Sequence, residues 1–384
     1  MASLYSEFGR RELTILEKIR GINWRLVLLI CTAACFGFAV LYSAADGNIQ
    51  PWAAKQMMRF AIGLMAMIAV ALVDIRHWYR AAYWVYAIAL ALVVAVGLRG
   101  FVGMGAQRWI DLGVIQLQPS ELMNVALVLA LARYFSARSS EDIGRISYLI
   151  PPALMVFVPV ALVLKQPDLG TAITLLITGV VLLFLAGMRL RIFLLLALNA
   201  AAGIPIVWRH LRDYQKNRIY TFLDPDSDPL GAGYHILQSK IALGSGGLYG
   251  KGFLRGSQSH LSFLPEKQTD FIFTTLAEEF GLIGGLALLS LYTVMIVYGF
   301  AISLRCRNHF GRLLGLGITT NFFLYVFINT AMVMGIIPVV GVPLPLISYG
   351  GTAMLAVMLG FGLLMNVGVH RDTRLNRRGE SQPT

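Results

Sequence analysis

Apolar runs of about 20 residues recur from one end of this chain to the other, and that repetition constrains its fold more than any other feature. A run of that length crosses hydrocarbon as a single helix. Lipid offers the backbone no hydrogen-bond partner, so only helices and closed barrels can span it. The residue-by-residue alternation of barrel strands is absent. The expected fold class is therefore all-α: a polytopic membrane protein with about ten transmembrane helices. The spans fall at roughly 24–45, 57–74, 78–98, 120–136, 147–164, 169–188, 191–210, 271–303, 313–336 and 347–369. One large extracytoplasmic loop, 211–270, lies between spans seven and eight, and 1–23 and 370–384 are polar tails. With 57% hydrophobic and 14% charged residues a soluble domain is excluded. No internal repeat divides the chain, so 1–384 reads as one integral membrane domain.

The formal net charge of +12 raises the question of nucleic acid. Its distribution answers it. With an inside N-terminus, nineteen Lys and Arg residues fall on inside segments and five on the four short outside loops. Positive charge marks the cytoplasmic side, and a long loop is exempt from that rule. Both termini are thus expected in the cytoplasm, in the cytoplasmic (inner) membrane, with no nucleic-acid partner. The first apolar run follows about 23 polar residues and lacks a cleavage site, so it is expected to stay as an anchor. Cys31 and Cys35 lie one turn apart in the first span and Cys306 is cytoplasmic, so no disulfide or metal site follows from them.

The outside segments carry the chemistry-bearing residues. Asp270 sits where the polar loop meets a long apolar helix. A carboxylate at the mouth of a bundle loses hydration and becomes a better base, while an N-cap role for the following turn is equally open. Upstream, Asp224–Gly233 is turn chemistry and Tyr234–Leu243 reads as a short amphipathic surface helix. Gly244–Gly252 suggests a phosphate cradle, but the nucleotide loop needs Gly and Ser/Thr where Ser245 and Gly252 stand. ATP binding is disfavoured. A flexible loop is expected instead, open to an anionic lipid headgroup through its amides and Lys251. Gly105–Trp109, Gln118–Glu121, Lys165–Thr171 and Pro343–Thr352 are each turns or caps when taken singly. Yet Arg108, Glu121, Lys165, Asp168 and Asp270 all fall on the outer side, and five ionisable groups on one face suggest a polar cavity opening outward.

At these residues the chain resembles the SEDS family of bacterial cell-wall proteins. The motifs that carry the likeness are Gly105–Trp109, Gln118–Glu121, Gln166–Ala172, Asp224–Gly256, Leu264–Phe273 with Leu276–Gly281, and Ile347–Thr352. Phe263–Lys267 with Thr269–Leu276 is similar to the elongation branch more than to the division or sporulation branches. The resemblance implies a ten-helix peptidoglycan glycosyltransferase that polymerises lipid II into glycan strands and releases undecaprenyl pyrophosphate. It places the family's essential acidic residue at Asp270, as general base. It implies substrate binding by Arg59, Arg108, Glu121, Asn124, Lys165, Asp168, Lys240 and Ser348, a Mg²⁺ ion as a candidate cofactor, and no organic cofactor. The implied partners are the growing glycan strand, a class B penicillin-binding protein transpeptidase and other membrane proteins of the elongation complex. One departure stands out. The family carries Lys three residues beyond the Glu of Gln-Pro-Ser-Glu, and this chain has Asn124, which keeps a polar group without the charge. Alternatives are a lipid II flippase with Asp168 and Glu121 as relay groups, a division-type polymerase, or a non-catalytic scaffold. A flippase would show inverted repeats, and none is visible.

Overall fold

The computed structural model describes residues 14–103, 106–111, 116–138, 146–210, 213–224, 232–256 and 267–373. A short helix α1 (Ile15–Gly21) precedes α2 (Trp24–Ala44), α3 (Ala53–Leu72) and α4 (Ile75–Arg99). Three short strands, β1 (Phe101–Gly103), β2 (Ala106–Asp111) and β3 (Gln116–Leu117), pair antiparallel in that order. Then come α5 (Pro119–Ser136), α6 (Ile146–Lys165), α7 (Leu169–Leu185) and α8 (Leu190–His210). The large loop holds α9 (Asp213–Leu223) and α10 (Ala232–Ser245), and α11 (Ile272–Arg305), α12 (His309–Val333) and α13 (Gly351–Val369) complete the chain.

A helix stands at each of the ten expected spans. Among the described residues seven, namely α2, α3, α4, α6, α11, α12 and α13, are long and apolar enough to cross a membrane, and α7 is apolar but only 17 residues long. This is a multi-pass helical membrane protein. The sheet qualifies the all-helical expectation: Ala106–Trp109 is not a turn but part of β2, where Trp109 and Ile110 favour extended backbone. Gly105, 225–231 and 257–266 lie outside the described residues, and with them parts of three motifs.

The bundle is built around α12, which packs against α5, α7, α11 and α13. Glycines set the spacing. A Cβ on Gly299 would stand 2.5 Å from Thr319 Oγ1, and one on Gly315 would stand 2.3 Å from Ser303 Oγ, so α11 and α12 meet through small residues. Helix α6 contains Pro151, Pro152 and Pro159, each lacking the N–H that would serve a carbonyl four residues back. For two of them the freed carbonyl has a visible replacement donor. Tyr134 Oη donates to Tyr148 O at 2.8 Å, and Tyr86 Oη donates to Met155 O at 2.9 Å.

The expected single long helix at span eight is broken. Gly281 in α11 has φ 66° and ψ −162°, a region only glycine occupies cheaply. The glycine-rich run fills the break, which overturns its reading as a flexible loop. Leu282 N donates to Gly247 O at 2.9 Å and Ile283 N to Leu248 O at 3.2 Å. In return Lys251 N and Gly252 N each donate, at 3.0 Å, to Glu278 O and Glu279 O. A Cβ on Gly250 would lie 2.1 Å from Glu279 O, and one on Gly246 would lie 2.2 Å from Ala277 O, so backbones touch directly. Lys251 Nζ adds an ion pair to buried Glu278 at 2.7 Å, and Ser43 Oγ donates to Glu279 Oε1. Gly281→Ala should therefore cost about 3 kcal/mol or more, from the backbone conformation and from the clash with Gly250 N. Gly244→Ala, on α10 with open space around it, should leave stability unchanged. Thermal unfolding in detergent compares the two, and equal melting temperatures would show that the break does not require glycine.

Candidate active site

Asp270 lies in the short turn 267–271 that feeds α11. The N-cap position of that helix falls on Phe271, which makes no side-chain cap hydrogen bond, so the capping reading loses its position. Three consecutive carbonyls of this turn are held from outside. Tyr349 N donates to Gln268 O at 2.8 Å, Ser348 Oγ to Thr269 O at 2.6 Å, and Asn329 Nδ2 to Asp270 O at 2.9 Å. The carboxylate stands against the loop that joins α12 to α13. A Cβ on Gly341, whose φ is +74°, would lie 3.3 Å from Asp270 Oδ2. The loop is itself strained: Leu346 is buried with φ +67°, a conformation that costs a branched side chain on the order of 1 kcal/mol. Ser348 Oγ also accepts from Leu344 N at 2.7 Å, so this sequence-predicted residue clamps both segments.

Arg59 of α3 joins the same loop. Its guanidinium lies over the Tyr349 ring, 4.8 Å from the centroid, and beside Gly351 at the start of α13. Its buried Nη1 has no hydrogen-bond partner among the described residues. Gln56, one turn earlier, donates to Ser348 O at 2.9 Å and accepts from Gly350 N at 3.4 Å. The α13 start then reaches across to α5, because Gln118 N donates to Thr352 Oγ1 at 3.3 Å.

Asp168 is buried on the far side of that link. It caps α7 by accepting from Thr171 N at 3.3 Å and from Thr171 Oγ1 at 2.9 Å. It also accepts from Gln118 Nε2 at 3.0 Å and from Ser120 Oγ at 3.3 Å. Arg108 donates from Nε to Gln166 O and from Nη2 to Pro167 O in the α6–α7 turn. Asp168 and Arg108 thus shape the rim through bonds to the protein. Lys165 and Lys240 are exposed, Lys240 lying over Gly335 at the end of α12.

Glu121 and Asn124 are almost fully buried, at 3% and 1% exposure, between α5 and α12. Glu121 lines a cavity there together with Asn321 and Tyr325. Tyr325 Oη donates to Glu121 Oε2 at 2.5 Å and accepts from Asn124 Nδ2 at 2.9 Å. The physical reason is satisfaction. A carboxylate in an apolar bundle takes the nearest donor, and here that donor is the Tyr325 hydroxyl. Asn329, Tyr325 and Gln56 were not picked out in the sequence. Each is a polar side chain inside an apolar helix, which is the signal that marks such groups. Glu278 and Glu279 carried the same signal inside a motif that had been noted without a role.

Removal of the Tyr325 hydroxyl strands the buried Glu121 carboxylate, at a cost of about 1–3 kcal/mol. Tyr325→Phe should accordingly lower the melting temperature. Asn124→Lys placed in the same chain should recover it, since the ammonium can replace the hydroxyl as the partner of Glu121. A double variant no more stable than Tyr325→Phe would show that the two donors are not interchangeable there.

A model of the cell cycle protein family comprising FtsW, RodA and SpoVE matches residues 23–373. Peptidoglycan glycosyltransferase MrdB of Escherichia coli is 44% identical over 355 residues, covering 90% of this chain and 93% of that protein. Stage V sporulation protein E of Bacillus subtilis is 35% identical over 353 residues, 89% of this chain and 95% of that one. Among solved structures, one described as structural coordination of polymerization and crosslinking by a peptidoglycan synthase complex superposes with a TM-score of 0.80 at 32% identity. It covers 91% of this chain and 98% of its own. The crystal structure of Thermus thermophilus RodA gives a TM-score of 0.69 at 28% identity, over 91% and 97% of the two chains. The fold and these matches along nearly the whole length lead to one assignment: the chain belongs to the SEDS family, the group of FtsW, RodA and SpoVE.

Proposed function

We propose that this chain is a peptidoglycan glycosyltransferase that polymerises lipid II during cell elongation, with Asp270 as its general base. The observation that carries the reading is the frame around Asp270: three successive carbonyls tied down, and a side chain set against a glycine at the mouth of the bundle. A base must be held where the proton will be, and a preorganised carboxylate at the edge of an apolar bundle meets that need. The similar proteins of Escherichia coli and Treponema pallidum that bear the name peptidoglycan glycosyltransferase support it, at 44% and 30% identity.

In the reaction Asp270 takes the proton of the acceptor sugar's 4-hydroxyl. The freed oxygen attacks the donor's anomeric carbon, and the bond from that carbon to the pyrophosphate oxygen breaks. Undecaprenyl pyrophosphate leaves with the electron pair, and the α-linked donor becomes a β-linked product by inversion. The leaving group gathers negative charge and needs cations aimed at it. Arg59 suits this role, because its buried Nη1 is uncommitted and it stands beside the N-terminal, positive end of α13. Lys165 and Lys240 are exposed cations that would act nearer the solvent. Among the described residues no three His, Cys, Asp or Glu side chains group together; a Mg²⁺ ion would rest chiefly on the substrate's own pyrophosphate, with one or two carboxylates beside it, and would add positive charge at the leaving group. The steps above use the chain's own residues.

The chain is read as lying in the cytoplasmic membrane with both termini inside and the Asp270 face outside, where lipid II and the growing strand would meet it. A class B penicillin-binding protein is the proposed partner, with other elongation-complex proteins beside it. The similarity to a chain from a peptidoglycan synthase complex that joins polymerisation to crosslinking supports that pairing.

Asp270→Asn keeps the size of the side chain and removes its basicity. Purified lipid II should yield no glycan strands with this variant, while its expression matches the unaltered chain. Strand synthesis at the unaltered rate would refute Asp270 as the base. Reporter fusions should place Tyr5 and Leu375 in the cytoplasm and Lys240 outside, as the charge asymmetry requires. An outside C-terminus would invert the face on which the site opens.

A further inference from the structure

Of the three donors that hold the 268–270 carbonyls, two belong to the α12–α13 loop. The third, Asn329, belongs to α12 itself and is fully buried. Its amide splits its two protons between Asp270 O at 2.9 Å and Val342 O at 2.7 Å. It therefore fixes the backbone from which the Asp270 carboxylate hangs. It also fixes the residue next to Gly341, the wall against which that carboxylate stands. Helix, turn and loop meet at this one amide.

We infer that Asn329 is the positioning residue of the Asp270 base, a role that rests on the reading of Asp270 given above. It lies too deep to meet a sugar and acts through Asp270. The chemistry demands this residue type. Two carbonyl oxygens converge on one side chain, so it must offer two N–H donors from a short stem. Aspartate would set oxygen against oxygen. Leucine would offer no donor, and the reversed amide rotamer would point Oδ1 at both carbonyls. A second observation separates this role from simple helix tethering. Buried Oδ1 of Asn329 has no hydrogen-bond partner among the described residues. An acceptor left unsatisfied in an apolar bundle is a poor choice for stability alone. Its retention makes sense where the placement of the two carbonyls matters more.

The test is steady-state polymerisation of lipid II by the purified full chain together with its class B penicillin-binding protein, with rates expressed per folded molecule from size-exclusion profiles. Asn329→Asp should lower kcat by about 100-fold with the KM for lipid II held within about twofold, as expected for a misplaced base with intact binding. Asn329→Ser, which leaves one donor, should fall between it and the unaltered chain, and it decides the matter should the aspartate variant not fold. Unaltered kcat per folded molecule in the serine variant, or a rise in KM with kcat unchanged, would overturn the proposal. Asp270→Asn run in parallel separates the two ideas. An active Asp270→Asn removes the base reading itself. An inactive Asp270→Asn beside fully active Asn329 variants removes only the positioning role.

Discussion

A backbone amide or carbonyl inside a lipid bilayer must find its partner within the protein, and several irregularities of this bundle are met by a specific donor or acceptor. The break at Gly281 is the largest. It frees backbone groups in the middle of α11, and the 246–252 loop supplies both the acceptors and the donors that the helix no longer provides. Prolines 152 and 159 free two carbonyls in α6, and tyrosines of α5 and α4 take them. At the far end of α3, Asn366 Nδ2 lies within 3.2 Å of Val70 O, 3.1 Å of Ala71 O and 2.5 Å of Val73 O. The polar residues scattered through apolar helices are, for the most part, answers to this demand.

The same constraint divides the carboxylates into two kinds. Glu121, Glu278 and Glu279 are buried and held by Tyr325, Lys251 and Ser43 respectively. A buried acid is tolerable only when so partnered, and removal of one member of such a pair is costly. Asp270 is held differently. Its backbone carries the restraint, through Asn329, while its side chain remains partly exposed at the bundle edge. Restraint at the main chain sets where that carboxylate stands, which is what the proposed general base requires. The α12–α13 loop serves the arrangement twice, binding the turn through Ser348 and Tyr349 and carrying Arg59 on the Tyr349 ring.

Asn124 illustrates how a neutral side chain serves beside a buried acid. Next to a buried glutamate, a lysine would supply charge and a donor together. Here the donor comes from Tyr325 across the α5–α12 interface, and Asn124 supports the hydroxyl from the other side. The three side chains bring no positive charge to Glu121. On the proposed reading, cationic help for a leaving pyrophosphate comes from Arg59.

The sequence by itself determined the helical class, the positions of ten apolar segments and the start of α5 at Pro119, because span length and helix-start chemistry are local properties. It also singled out Asp270, since a carboxylate at a helix mouth is conspicuous without any knowledge of its neighbours. Only the tertiary structure decided what the glycine run does, because its partners at Glu278, Glu279, Leu282 and Ile283 are more than 25 positions away in the chain. It alone decided that Glu121 and Asn124 face inward, a matter of which side of α5 meets Tyr325. The small sheet between α4 and α5 depends on pairing between strands that are too short to announce themselves. Asn329 gave no local sign beyond its polarity, for its purpose is a pair of carbonyls that folding brings to it from two other segments. Residues that act by reaching across the bundle can be counted in a sequence, but their partners are set by packing.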